Sequence, residues 1–309
     1  MADTLLVTGA SGFLGRHLVD RLLADWPGAR IIAQHTPNST PRWAGERVHA
    51  LATRLSDLSN ALTRADVGDR FSAVFHLAAS TPKASGQEVV TDVLDTNVLG
   101  TQSLLEAVAG RTDRLVFAST IDVYAPSAGR LSEASPIGPA SVYAASKVMG
   151  EVLASSWGTQ TDTPVDILRV GHLYGPGEIA YRRLIPVAIQ SVLAGDPMIR
   201  FGSGSERRDL LHVEDAARLM HAASRATPPT DGPTNLVAGR SYAVAEIMAL
   251  IADISGGKAE IEERPATGTP RSLEFDATRV RTVLPMDGYT PIADGLRAEY
   301  AWFRDRVAA

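Results

Sequence analysis

Tyr143 and Lys147 stand four residues apart in Tyr143-Ala-Ala-Ser-Lys147, a spacing that puts both side chains on one face of a helix. A phenol with a pKa near 10 is a poor acid or base at neutral pH. An ammonium nearby favours the phenolate, so Lys147 would tune Tyr143 toward taking a proton from an alcohol or returning one to a carbonyl. Taken alone, the pair also fits a solvated helix face. A second group is Gly9, Gly12 and Gly15, which follow an apolar run at 4–7 and precede Phe13, Leu14, Leu18 and Leu22 at helical spacing. Strand, glycine turn and helix together form the setting of a dinucleotide fingerprint. Gly9 permits a tight turn, Gly12 lets a pyrophosphate approach the backbone, and Gly15 lets the helix pack on the strand. The anion then meets free N–H groups at the positive end of the helix. The spacing G-x-x-G-x-x-G holds one residue more than the usual G-x-G-x-x-G. A third group, Ser119-Thr120-Ile121-Asp122, follows an apolar run at 114–118. A hydroxyl there could hydrogen-bond the reacting oxygen beside Tyr143, or satisfy turn amides.

These residues need elements to bring them together. Apolar runs predict strands over 4–7, 29–34, 48–52, 73–77, 114–118 and 165–170. Periodic segments predict helices after Gly12 and over 57–65, 89–108 and 140–157. Strands alternating with helices imply right-handed crossovers and a parallel sheet covered on both faces, an α/β fold. Ligands on such sheets bind beyond the carboxyl ends of the strands, where all three groups fall. After residue 171 the rhythm changes to frequent Pro, Gly and Arg, with helices near 181–194, 214–226, 243–254 and 292–307 and strands near 198–201 and 234–238. The reading is a doubly wound parallel sheet over 1–170 and a smaller C-terminal α/β lobe over 171–309, with the chain crossing between lobes more than once.

At 309 residues the chain suits one large or two modest domains. Its net charge of −5 gives no reason to expect nucleic acid as a partner. It has no cysteine, which rules out disulfides and thiolate catalysis. The N-terminus enters a strand directly and no apolar run approaches a membrane span, so a soluble cytoplasmic protein without membrane or metal is expected.

Taken in order, the motifs resemble those of the extended short-chain dehydrogenase/reductases, specifically the NAD-dependent epimerase/dehydratase family. The marks are Thr8-Gly-Ala-Ser-Gly-Phe-Leu-Gly15, His76-Leu-Ala-Ala79, Asn97-Val-Leu-Gly-Thr101, Ser119-Thr120 before Val123-Tyr124, Tyr143-Ala-Ala-Ser-Lys147, Leu168-Arg169 with Tyr174-Gly-Pro-Gly177, and Arg208-Asp-Leu-Leu-His-Val-Glu-Asp215. They span nearly the whole chain. The resemblance implies a Rossmann-type fold, with Thr120, Tyr143 and Lys147 as catalytic residues. It implies NAD(P) contacts from Gly9, Gly12, Phe13, Leu14, Gly15, His35, Leu55, Leu77, Ala78, Ala79, Asn97, Tyr143 and Lys147. It implies contacts to a nucleotide-sugar substrate from Ser80, Thr120, Asp122, His172, Arg208 and Arg271, the two arginines suiting a diphosphate. A homodimer through the helices at 88–109 and 140–157 is also implied.

Three departures qualify the match. The second strand ends Ala33-Gln34-His35-Thr36, without the carboxylate that binds a ribose 2′-OH, and Arg54 stands where family members carry an acid near the adenine. Nothing there repels a 2′-phosphate, so the cofactor reading leans to NADP. Sugar-nucleotide 4,6-dehydratases carry Asp-Glu after the catalytic threonine. Ile121-Asp122 replaces that pair, and Ile121 cannot exchange protons. An Asn three residues after the arginine of Leu168-Arg169 is replaced by His172, a side chain that ordinarily titrates near neutral pH. The expected activity is a 4-ketoreductase or 4-epimerase of a nucleotide-linked sugar. The alternatives are a reductase of a small ketone or aldehyde without a nucleotide, and a cofactor-binding regulator without turnover.

Overall fold

Seven parallel strands run in the order Thr234–Leu236, Val165–Val170, Leu115–Thr120, Ala73–His76, Thr4–Thr8, Arg30–His35, Val48–Ala52. The computed structural model describes residues 3–43, 45–82, 89–127, 129–179, 183–257, 259–266 and 271–307. The strand Thr4–Thr8 lies between Ala73–His76 and Arg30–His35, so strand order reverses beside it. Crevices form at such a reversal, beyond the carboxyl ends of the strands. Leu5, Leu6 and Val7 are all fully buried, because helices cover both faces of the sheet. One face packs Leu18, Val19 and Leu22 with Leu219, Met220 and Ala223; the other packs Leu58, Leu62, Leu104, Val108 and Ala154.

The expected helix over 89–108 is divided: Val90–Val93 and Gly100–Val108 are α-helical, and Leu94–Leu99 between them is a π-helix. The wide turn carries buried Asn97. Its side chain accepts from the Ser80 N–H (2.7 Å) and donates to the Ser80 carbonyl (3.0 Å) and to Ser146 Oγ (2.9 Å). Apolar periodicity is blind to this change of winding, which often marks functional positions. The strand expected at 114–118 runs Leu115–Thr120, and Thr120 is its last residue. The helix expected at 140–157 runs Val142–Thr161, capped by Ser141, whose Oγ accepts from the Ala144 N–H at 3.1 Å.

Beyond residue 171, the strands His172–Tyr174, Arg207–His212 and Ser241–Ala243 make a second, three-stranded sheet. The strands His172–Tyr174 and Arg207–His212 are short or charge-rich, and alternation did not reveal them. Tyr174, Ile189, Met198, Ile247, Ile251, Leu296 and Phe303 form a separate core. The chain still returns to the first sheet: Thr234–Leu236 is its edge strand, and the helix Val213–Arg225 shares a core with Phe13–Asp25. The helix Ile292–Val307 has the expected bounds.

Gly9 takes φ of +67°, and a Cβ there would lie 2.7 Å from the Ala78 N and Cα. Both the left-handed backbone and the close approach demand glycine. Gly9→Ala is expected to lower unfolding free energy by about 2 kcal/mol or more, read from urea denaturation.

Candidate active site

A cleft of about 1190 Å³ follows the carboxyl edge of the large sheet. At one end its wall is the glycine turn, Gly9 and Gly12 to Gly15, with Gln34, Arg54 and Leu55. Leu77, Ala78, Ala79 and Ser80 continue it. Thr120, Asp122, Tyr143, Lys147, His172 and Arg183 also line it. Thr120, from a strand end, and Tyr143 and Lys147, from one helix, therefore share one cavity.

Lys147 comes in on the buried face of the helix Val142–Thr161, with Ala144, Gly150, Glu151 and Ala154. Its Nζ donates to the Ala118 carbonyl at 2.8 Å and lies 5.2 Å from the Phe117 ring centroid. Burial pushes the ammonium down to about 8, against the opposing pull of Glu151. His76 bridges Thr8 Oγ1 (2.7 Å) and Thr101 Oγ1 (2.9 Å). Burial first, then the Lys147 charge, pushes His76 down to about 3, so it is a neutral link. Thr120 Oγ1 donates to the Asp122 carboxylate at 3.3 Å and accepts from the Asp122 N–H at 3.2 Å. Ser146 Oγ donates to the Tyr143 carbonyl at 2.7 Å and accepts from Asn97. Asn97 thus fixes the turn that carries Tyr143 and the backbone at Ser80, without itself lining the cleft.

Three other expected contacts stand off the main wall. His35 is buried, with Nδ1 facing the Thr36 carbonyl (3.0 Å) and Ser39 Oγ (3.2 Å). Arg208 donates to the carbonyls of Arg207 (2.9 Å) and Arg271 (2.7 Å). Arg271 lines a side hollow of about 190 Å³, which Asp122 also borders. His172 is largely buried in the cleft wall, and its Nδ1 has no hydrogen-bond partner among the described residues. Burial, then the charges of Arg183 and Arg208, hold it well below its ordinary value, against Asp122. The expectation that it titrates near neutrality is corrected: His172 is a neutral imidazole at pH 7.

The sequence reading missed two supports. Gln34 accepts from the Gly9 N–H (3.0 Å) and donates to the Thr53 carbonyl (2.6 Å), bracing the glycine turn. Glu151 accepts from Ser119 Oγ (2.5 Å) and receives both Arg169 Nε (2.9 Å) and Nη2 (2.8 Å). The four-residue spacing Tyr143, Lys147, Glu151 was the signal that could have found it. Among the described residues, no group of three or more His, Cys, Asp and Glu side chains could hold a metal, and no helix is long and apolar enough to cross a membrane.

The wall fits a dinucleotide. The helix Phe13–Asp25 begins with no side-chain cap, which leaves its first N–H groups for an anion. A Cβ at Gly15 would lie 2.2 Å from the Gly9 carbonyl oxygen, so no larger residue fits this tight turn. The model of the NAD dependent epimerase/dehydratase family matches residues 5–239. The chain belongs to this family. It is accordingly an NAD-dependent enzyme of the extended short-chain dehydrogenase/reductase class. A UDP-glucose 4-epimerase of Mycolicibacterium smegmatis is 32% identical over 319 residues, covering 97% of this chain and 98% of that protein. A dTDP-glucose 4,6-dehydratase of Streptomyces niveus is 29% identical over 323 residues, covering 98% and 94%. The crystal structure of UDP-glucuronic acid 4-epimerase from Bacillus cereus, in complex with UDP-glucuronic acid and NAD, superposes with a TM-score of 0.83 at 26% identity and covers 98% and 99% of the two chains.

Lys147 carries a pH signature. Its folded value, about 8, lies below its ordinary 10.5. A lysine depressed on folding costs stability wherever both states would be charged, so the cost is full below pH 8 and fades as pH rises toward 10.5. Relative to Lys147→Met, the wild-type protein is expected to gain roughly 3 kcal/mol of unfolding free energy between pH 7.5 and 10.5, measured by urea denaturation at each pH.

Proposed function

We propose that the enzyme acts on a nucleotide-linked sugar at a ring carbinol, as a 4-epimerase through a transient ketone. The observation that carries this reading is the shared cavity: Thr120, Tyr143 and Lys147 line the cleft that also holds the uncapped glycine turn. Gly9, Gly12, Phe13, Leu14 and Gly15 would hold the pyrophosphate, Leu55 the adenine side, and Leu77 to Ala79 the face of the dinucleotide. When bound, the nicotinamide supplies the two-electron acceptor and donor. Tyr143 takes the carbinol proton and returns it, Thr120 Oγ1 hydrogen-bonds the reacting oxygen, and Lys147 holds positive charge beside the phenolate. Ile121 offers no proton for water elimination, which disfavours dehydration despite the dehydratase relatives. The full-length likeness to a UDP-glucose 4-epimerase supports the same choice.

A second reading, a 4-ketoreductase using NADPH, is favoured by one observation. Gln34, not a carboxylate, ends the ribose side of the cleft, and exposed Arg54 lines it with no side-chain partner among the described residues. Arg54 would meet a 2′-phosphate. Val90, Leu94 and Leu99 and, on the neighbouring helix, Met149 and Val152 are exposed apolar side chains. A second copy of the chain would cover them, giving a homodimer.

The test incubates purified enzyme with UDP-glucose, UDP-galactose or 4-keto nucleotide sugars and follows both sugar composition and nicotinamide absorbance. Interconversion without net absorbance change is expected; consumption of NADPH by the keto sugars would replace the epimerase with the reductase. Reaction only with a small ketone would overturn both. Tyr143→Phe is expected to lower kcat by about 10²–10⁴-fold while sugar affinity stays within about threefold. Arg54→Ala is expected to weaken NADP(H) about tenfold and leave NAD(H) unchanged, read by fluorescence titration.

A further inference from the structure

Asp122 occupies an unusual place in the cleft. It follows the strand Leu115–Thr120 in a short 3-10 turn, where its own N–H bonds back to Thr120 Oγ1 at 3.2 Å. Its carboxylate accepts the Thr120 hydroxyl at 3.3 Å, is exposed, and has no ion-pair partner among the described residues. It borders both the main cleft and the side hollow. A carbinol held by Thr120 would bring the group on its neighbouring carbon within reach of this carboxylate.

No ion pair among the described residues takes up this charge. His172, which feels the Asp122 field, is neutral. Arg183, on the cleft wall, lies 3.8 Å from buried Glu178. Arg208 is bonded to backbone carbonyls, and Arg271 stands on the wall of the side hollow without an ion pair to Asp122. Asp122 is an exposed anion on the cleft wall that can only accept hydrogen bonds.

We propose that Asp122 sets the charge of the substrate: the substituent beside the reacting carbinol is a hydrogen-bond donor, a hydroxyl or an ammonium, and a sugar carboxylate at that position is rejected. This rests on the nucleotide-sugar reading above. It separates this chain from the Bacillus cereus enzyme, whose crystal structure holds UDP-glucuronic acid. The physical reason is that two carboxylates within a few ångströms repel, and the wall of a cleft screens them less than bulk solvent does. A donor at the same distance gains a charge-assisted hydrogen bond. Discrimination of this kind comes as much from the repelled group as from the accepted one.

The test measures binding by calorimetry and kcat/KM for UDP-glucose, UDP-6-amino-6-deoxyglucose and UDP-glucuronic acid, with wild type, Asp122→Asn and Asp122→Glu. Wild type is expected to bind the uronic acid at least about tenfold more weakly than UDP-glucose. Asp122→Asn should close most of that gap by strengthening uronic-acid binding, and Asp122→Glu should keep it. The amino sugar should lose affinity in Asp122→Asn if an ammonium is the natural group, and a hydroxyl is indicated if it does not. A merely structural Asp122 would weaken all three ligands alike, and that outcome overturns the proposal. Equal wild-type binding of UDP-glucose and UDP-glucuronic acid overturns it too, while leaving the nucleotide-sugar reading in place. Binding of none of the three by the cofactor-loaded enzyme overturns both.

Discussion

The buried ion pair between Arg169 and Glu151 holds together the side of the cleft that carries Thr120, Tyr143 and Lys147. Both side chains are almost wholly withdrawn from water, and the guanidinium meets the carboxylate through two parallel hydrogen bonds. Arg169 belongs to the strand Val165–Val170 and Glu151 to the helix that carries Tyr143 and Lys147, so the pair fixes the helix over the sheet. The same carboxylate receives Ser119, the residue before Thr120. Arg169 also donates to the Tyr124 hydroxyl at 3.0 Å, which donates to Asn235 at 2.6 Å on the edge strand. Removing one member of such a pair leaves a buried charge without its partner, at a cost of about 3–5 kcal/mol. Thr120, Tyr143 and Lys147 keep their relation only while this network is complete.

A second chain of contacts fixes the same helix nearer its N-terminus. Asn97 ties Ser80 to Ser146, Ser146 ties to the Tyr143 carbonyl, and Thr101 donates to the Asn97 carbonyl at 2.7 Å while bonding His76. The π-turn is the local backbone change that points Asn97 at both segments. The close packing permits no bulk: a Cβ on Gly150 would lie 2.5 Å from the Phe117 ring. Lys147 is thereby driven into the protein, where its charge is expensive unless it is used.

The smaller lobe is fastened to the glycine-turn helix through its loop at 175–177. His17 Nε2 lies 2.8 Å from the Pro176 carbonyl, and Arg16 donates to the Gly177 carbonyl at 3.2 Å. Behind that loop sit two buried carboxyls. Burial raises Glu178 to about 7; it raises Glu299 to about 9, and the nearby Glu178 adds to that shift. Glu299 accepts from the Gly175 N–H at 2.8 Å, which ties the C-terminal helix to the loop. The cleft wall at His172 and Arg183 is thus set by both lobes.

The sequence by itself determined the alternation of strands and helices, the glycine turn, and the pairing of Tyr143 with Lys147. Each is written in local spacing: 3.6-residue periodicity, short apolar runs, and a residue type that alone tolerates the turn. It also carried the family, because many short motifs in one order are together specific. Only the tertiary structure decided which polar residues face the cleft and which brace it. Gln34 and Glu151 are spent on bonds to other segments, His35 turns inward, Arg208 is occupied by carbonyls, and the π-turn interrupts a helix whose apolar pattern reads as continuous. The neutrality of His172 is equally non-local: burial and two arginines distant in sequence withhold its proton. Such properties depend on what distant segments bring to the same few ångströms, and no spacing within one segment encodes them.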